Sequence, residues 1–287
     1  MNRREVYIIL GSLFLLNLIF SLIVFSLNQP RNLEVVFFNV GQGDSVFIKT
    51  PQKHQILLDG GPDSTILEKL EKEMPPFDRT IDLIILSHPE RDHITGLMEI
   101  LKRYEVGYIL WNGVKRDSNE ITEWNNFLEK EDAEVFIAKK DLKISFGDSV
   151  FLNVLYPFSS LEGELVESAN NTSIVFKLVS GETSFLFTGD IYKEVERDIL
   201  KKEVNVDADI LKIAHHGSKN STGEEFLLAV SPDAVVISCG KDNPYGHPHP
   251  EVLELLNKYG INIFRTDLNG DIKLISDKNK IYGVSNI

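Results

Sequence analysis

One cysteine, Cys239, is all that 287 residues contain. No disulfide can form within the chain, and no cysteine-rich zinc cluster can be built. Positive charge is also in short supply: 30 Lys and Arg stand against 43 Asp and Glu, a net charge of −13. Such a protein cannot coat itself with nucleic acid by bulk electrostatics. Any phosphate it handles needs a local cation, either a metal or a few placed side chains. Alanine is absent before Ala133. The rest of the composition, 43% hydrophobic and 25% charged, excludes disorder and collagen-like structure.

The sharpest lack of charge is local. Residues 6–27 read VYIILGSLFLLNLIFSLIVFSL, 22 residues without a charged side chain. At ~1.5 Å per residue a helix of this length spans ~33 Å, enough for a hydrocarbon core of ~30 Å. Arg3 and Arg4 precede it and favour an N-terminus inside. A cleavable signal peptide is the rival, but its apolar core is ~7–15 residues long and ends at a small-residue site. A helix packed by one face on a globular core would keep a polar stripe toward solvent, whereas Asn17 is the most polar residue here. We therefore expect residues 1–31 to be a single-pass anchor in the cell membrane. Residues 32–287 would form one domain on its extracytoplasmic side.

After Pro30 the pattern turns to short β-prone runs at residues 34–40, 44–50 and 54–59, split by the turn chemistry of GQGD and PQK. Residues 81–87, IDLIILS, form a continuous apolar run, as in a strand buried on both faces. Helical patterns at 63–74, 94–104, 119–130, 191–201, 223–230 and 250–259 alternate with further strands. Residues 172–178 read as one such strand, residues 140–170 as a looser crossover, and strands at 261–264 and 271–276 close the chain. The halves echo each other, because IDLIILSH and ADILKIAH are both apolar strands ending in histidine. Two sheets packed face to face with helices outside would bury such strands on both sides, leaving a cleft at the strand ends.

Polar residues gather at those ends. SHPERDHITG offers His88, Glu90, Asp92 and His93 within six residues. Alone, Asp92 reads as a helix cap and His93 as a first-turn residue. Together, the four have the donor density that a divalent ion needs. FTGD places Asp190 at a second strand end. AHHGS places His215 and His216 at a third, and Gly217 lets the chain turn sharply there. NPYGHPHP fixes His247 in a restricted loop. His249 reads as surface, His54 as a plain strand residue and Cys239 as a small buried hydrophobe. Lys212 and Lys219 are nearby positive charges or merely solvated.

VGQGD, LLDGG, SHPERDH, NNTSIV, FTGD, LKIAHHGS and NPYGHP occur in this order and at these spacings. The set resembles the metallo-β-lactamase fold, specifically the hydrolase domain of ComEC-type DNA-uptake (competence) proteins, over residues 33–276. The resemblance implies an α/β, four-layer αββα sandwich with a metal site in the cleft between the sheets. It implies that His88, Asp92 and His93 form the first metal motif and that Asp190 bridges or completes the site. One or both of His215 and His216 would be ligands, and His247 would be the terminal histidine of the set. Glu90 stands where the general H-x-H-x-D-H pattern has its second histidine, which ComEC-type members often lack. Asn170 or Asn171 replaces a histidine, and Asn39 stands where relatives usually have aspartate. Glu90, Asn171 and Asp59 are further candidates to bind or support the ion. With two imidazoles gone, one or two ions, Zn2+ or Mn2+, remain open.

Such an ion lowers the pKa of its water toward ~7 and polarises the bond to be broken. No Ser/His/Asp nucleophile elbow and no P-loop is present. The expected function is a membrane-anchored phosphodiesterase or nuclease acting on DNA by metal-activated water. Asp92 would orient the water, and His247 would hold a phosphate oxygen or protonate the leaving group. Gly217 and Ser218 would cradle the phosphate. Two alternatives are hydrolysis of a small ester or lactam, which the fold supports elsewhere, and a non-catalytic binding domain. Glu90 and Asn171 favour the last, whereas intact His88, Asp92, His93 and Asp190 oppose it. One apolar span makes no channel, so DNA transport would need a separate channel or uptake protein.

Overall fold

The computed structural model describes residues 2–27 and 32–285. The chain divides into two compact units, Met1–Arg31 and Asn32–Ile287; the expected junction at residue 31 lies outside the described residues. The first unit holds helix α1 (Arg3–Leu27). Its start is a reciprocal cap, in which the Glu5 amide donates to Asn2 Oδ1 and the Asn2 amide to the Glu5 carboxylate, both at 2.9 Å. Tyr7, Leu10, Phe14 and Phe20 lie exposed around the helix, and the segment Arg3–Ser21, with a mean hydropathy of 1.5, has no buried part. This helix is long and apolar enough to cross a membrane. Asn17 donates its amide to the carbonyl of Leu13 at 3.0 Å, so this polar group is satisfied inside the helix.

The second unit begins β1 (Leu33–Phe37), β2 (Val46–Lys49), β3 (Gln55–Leu58), α2 (Thr65–Glu73), β4 (Thr80–Ile85), α3 (Arg91–Leu101), β5 (Glu105–Trp111), α4 (Asn119–Leu128) and β6 (Glu134–Ile137). It continues β7 (Lys143–Ser145), β8 (Val150–Tyr156), β9 (Val175–Ser180), β10 (Thr183–Phe187), α5 (Lys193–Lys201), β11 (Ile210–Lys212), α6 (Glu224–Val230) and β12 (Ala234–Ile237). Last come α7 (Pro250–Lys258), β13 (Asn262–Arg265), α8 (Thr266–Asn269), β14 (Ile272–Ser276) and β15 (Ile281–Ser285).

The strands form two sheets, in the orders β15-β14-β1-β2-β3-β4-β5-β6 and β13-β12-β11-β10-β9-β8-β7. Each sheet is antiparallel on one side and parallel on the other, with β3 to β6 and β10 to β13 the parallel parts. Alternation along the strands produces three apolar layers. Val35, Phe37, Ile48, Ile85, Leu152, Phe176 and Phe187 pack between the sheets. Val36, Phe38, Leu57 and Ile84 face Ile66, Leu70, Leu97 and Trp124 of the helices outside the first sheet. Leu186, Leu211 and Val235 face Ile199, Phe226 and Leu256 outside the second. The result is the expected αββα sandwich, and its strands are apolar on both faces because both faces are covered.

Some elements differ from the sequence reading. Helix α3 starts at Arg91 rather than residue 94, so Asp92 and His93 lie in its first turn. Asn170–Thr172 form a 3₁₀ turn, and the strand expected from residue 172 begins at Val175. The short strand β7 occupies part of the expected crossover. The described residues finish with the hairpin β14–β15 rather than with the strand at 271–276; in the sequence, Gly283 interrupts the apolar pattern that would mark β15.

Candidate metal centre

Five loops leave the parallel strands at their C-terminal ends and meet in one cleft, the usual place for a site in α/β sheets. Asp59 follows β3, Ser87 and His88 follow β4, Asp190 follows β10, His215 and His216 follow β11, and Ser238 follows β12. Close backbone packing presses α3 onto this floor. The amide of Gly60 donates to the carbonyl of His93 at 2.7 Å, and a Cβ on Gly96 would sit 1.9 Å from the carbonyl oxygen of Gly60. His215 and His216 both take left-handed backbone angles, φ 50° and 55°. This uncommon pair of conformations ends the strand abruptly and sends both imidazoles toward the cleft instead of onto opposite faces.

Oδ2 of Asp190 is the centre of convergence. It lies 3.4 Å from Nε2 of His93, 3.4 Å from Nε2 of His216, 3.8 Å from Nε2 of His88 and 3.9 Å from Nε2 of His215. Asp92 reaches His216 Nε2 at 3.2 Å and His93 Nε2 at 4.0 Å. Two triplets, His88–His93–Asp190 and Asp92–His93–His216, bring their ligand atoms within 4.8 Å of one another.

The far sides of the rings are already bonded. His93 Nδ1 donates to Asp59 Oδ2 at 2.8 Å, and Ser87 Oγ donates to the same oxygen at 2.6 Å. His88 Nδ1 lies 3.0 Å from Ser87 Oγ, and His216 Nδ1 donates to the carbonyl of Ser238 at 3.0 Å. These bonds place the proton on Nδ1 and turn each bare Nε2 inward, as a ligand requires. Nε2 of His88, His93 and His216 and Oδ1 of Asp190 are buried without any hydrogen-bond partner. Several such atoms facing one point are costly unless a cation joins them, so these residues fit a divalent ion. The donors are imidazole and carboxylate, with no thiolate: Cys239 is buried and its Sγ donates to Asp267.

Electrostatics agree with that use. Burial alone would lower the pKa of His93 and His216, but Asp190 with Asp59 or Asp44 outweighs it and raises both well above the usual value. Burial would raise Asp190, yet His216 and His93 hold it well below the carboxylate range. Protons and a metal ion therefore compete for the same nitrogens. His88 is pushed down to about 3 by burial and by His93, and stays neutral.

The other candidates divide. His247 lines the cleft, with its ring 5.6 Å from that of His215. Its loop is clamped by Asn243, which accepts from the His247 amide and donates to the His247 carbonyl. Glu90 also lines the cleft but pairs with Arg116 at 2.6 Å. Asn171 is outside the cluster: its amide donates to Glu194 and its oxygen accepts from the Tyr192 amide. Asn170 is the one that faces the centre, 3.5 Å from Nε2 of His215. The phosphate cradle expected at Gly217 and Ser218 needs correction. Ser218 is buried, its amide donates to the carbonyl of His215, and its hydroxyl accepts from Asn220. A Cβ on Gly217 would meet Pro248 at 2.6 Å, so this glycine serves close packing.

Sequence reasoning missed a buried ion pair behind the centre. Lys212 Nζ lies 2.8 Å from Asp44 Oδ2, both side chains fully enclosed, and Asp44 Oδ1 lies 3.3 Å from His216 Nδ1. Lys212 is therefore not solvated. Its signal was the alternation of ADILKIAH: Ile210 points between the sheets, so Lys212, two residues on, points there too.

Residues 38–241 match the family described as the metallo-beta-lactamase superfamily. The chain belongs to the metallo-beta-lactamase superfamily. Within it, the chain is 33% identical over 263 residues to ComE operon protein 3 of Bacillus subtilis, covering 84% of this chain and 32% of that protein. It is 28% identical over 249 residues to competence protein ComA of Neisseria gonorrhoeae, covering 83% and 32%. The chain thus spans about a third of the length of these curated relatives. The solved metallo-beta-lactamase fold protein YhfI of Bacillus subtilis superposes with a TM-score of 0.57 at 12% identity, over 86% of this chain and 100% of that one. Its likeness speaks to the fold. Membership accounts for the metallo-hydrolase architecture and for His/Asp clusters suited to a divalent ion.

Proposed function

We propose that this chain is a membrane-anchored, metal-dependent phosphodiesterase that acts on DNA. In this reading residues 1–31 are the anchor and residues 32–287 the hydrolase domain, facing away from the cytoplasm. The observation that carries the chemistry is the convergence of three partnerless Nε2 atoms on Asp190. Similarity to competence proteins supports the choice of substrate and a separate channel or uptake protein as partner.

His88, Asp92, His93, Asp190 and His216 would hold Zn2+ or Mn2+, with His215 and Asn170 beside them. When bound, such an ion lowers the pKa of water toward ~7 and draws electron density from a phosphoryl oxygen. Asp92, partly exposed on the cleft wall, accepts the proton of an attacking water and orients it. Asp59, Ser87 and Ser238 fix the imidazoles. His247 is pushed down to about 4 by burial and by the neighbouring His216 and His215. It serves as a hydrogen-bond donor to a phosphate oxygen or to the leaving oxygen, which takes up a proton as it departs.

The test is hydrolysis of bis-p-nitrophenyl phosphate, then linear DNA, by the full chain with Mn2+, Zn2+ or Mg2+, its metal content measured in parallel. No turnover by a metal-loaded protein would leave the non-catalytic reading. Cleavage of a lactam instead would change the substrate class alone. His247→Ala is expected to keep its metal and lose ~10²–10³-fold in turnover, the usual worth of one such donor; loss of metal in that variant would move His247 into the ligand set. For the membrane, protease added to intact cells should degrade the domain and leave α1 behind in the membrane fraction. Full protection, or a mature N-terminus beyond Leu27, would overturn the outward-facing anchored arrangement.

A further inference from the structure

The cleft, about 300 Å³, is lined by Gln42, Glu90, Asp92, Asn170, Tyr192 and Tyr245 around the histidines, and its described wall includes no lysine or arginine. A nucleic acid held by this protein cannot draw affinity from neutralised phosphates there. Its binding energy must come from the metal centre and from something other than charge. Tyr245 is the feature that offers it. Among the described cleft residues it is the exposed large aromatic, at 63%. Its ring stacks on His247 with centroids 5.7 Å apart and planes 23° apart. His247 in turn stands 6.1 Å from His216, so the tyrosine is two ring steps from the ligand imidazoles.

This presentation is rigid. Asn243 bonds through one side chain to the carbonyls of Gly240 and His247 and to the amides of Tyr245 and His247. A lone exposed tyrosine is ordinary on a protein surface. One that is backed by a stacked ring, fixed by a clamped loop and placed at the mouth of a metal cleft is a preorganised flat surface.

We infer that Tyr245, backed by His247, is a stacking platform for a planar ring of the substrate, a nucleobase next to the phosphate that is cleaved. The place of the platform rests on geometry; the identity of the ring rests on the phosphodiesterase reading. Base–aromatic stacking is sequence-tolerant, so the platform would bind without selecting a base.

The experiment compares the full chain, metal-loaded, with Tyr245→Ala and Tyr245→Phe on two end-labelled oligonucleotides, one carrying bases throughout and one with an abasic tract. Binding is read by fluorescence anisotropy, and kcat and KM are read separately. Tyr245→Ala is expected to weaken binding and raise KM for the base-bearing strand by about 5- to 150-fold, with metal content kept and a much smaller change in binding and KM on the abasic strand. Tyr245→Phe should behave as the native protein within about twofold, since its ring is kept. Equal weakening on both strands, a fall in kcat on both, or no change on either would overturn the platform. If neither strand is cleaved but the native protein binds the base-bearing strand better than the abasic one and Tyr245→Ala removes that preference, the phosphodiesterase reading fails and the stacking reading stands; if the preference survives in Tyr245→Ala, the platform is overturned.

Discussion

Asp190→Ala should leave the purified protein without bound metal and bring phosphodiester hydrolysis down to the uncatalysed rate. Four imidazole Nε2 atoms lie within 3.4–3.9 Å of its Oδ2, so among the described residues no other side chain is shared by so many candidate ligands. Asp92→Ala should act in the same direction. Asp92 is one-third exposed and bears on one triplet alone, so its variant should retain some metal at high concentration while turnover is lost. Metal analysis after dialysis, paired with the bis-p-nitrophenyl phosphate assay, checks both. An Asp190→Ala protein that kept its full metal content would place the ion elsewhere.

Lys212→Met should destabilise the fold by about 3–5 kcal/mol, the cost of leaving one member of a buried ion pair uncompensated. Lys212 is 2% and Asp44 3% exposed, so water cannot take over the lost partner. Burial would raise the pKa of Asp44, but Lys212 and His216 hold it far below the carboxylate range. Removing Lys212 thus strands a charge beneath His216. The double variant Lys212→Met/Asp44→Asn should recover most of the loss, because it removes both charges together. Urea unfolding of the single and double variants measures the difference. A Lys212→Met protein within about 0.5 kcal/mol of the native would show the pair to be idle.

Much of the site was legible in the sequence because its residues follow strand ends. The repeated apolar-strand-then-histidine pattern marks where β4 and β11 stop, and the candidate ligands sit within a few residues after. What escaped depends on register or local twist. Lys212 looks like a surface lysine until its strand is known to be covered by the other sheet on one face and by helices on the other, and its own face is assigned. Asn170 and Asn171 are equivalent in the sequence; a 3₁₀ turn decides that Asn170 meets His215 while Asn171 turns out to Glu194. The role expected of Ser218 failed for a similar reason. Left-handed angles at His215 and His216 swing the following amide back onto the carbonyl of His215, where a ligand cannot use it. The hairpin partner β15 was missed because its run is short and interrupted by Gly283.

The donors around Asp190 come from both sheets: residues 88–93 follow β4 in one, and Asp190 and His216 follow β10 and β11 in the other. A cation gripped across that gap ties together points about 100 residues apart in the chain. Secreted domains commonly make such a tie with a disulfide, which a chain with one cysteine cannot do. An ionic staple differs from a covalent one in that its strength follows the surroundings. At a thousandfold excess over its dissociation constant it would add about 4 kcal/mol to the cohesion of the two halves, and in a metal-starved medium almost nothing. Durability of the fold and competence of its cleft would then rise and fall together with the supply of a single nutrient.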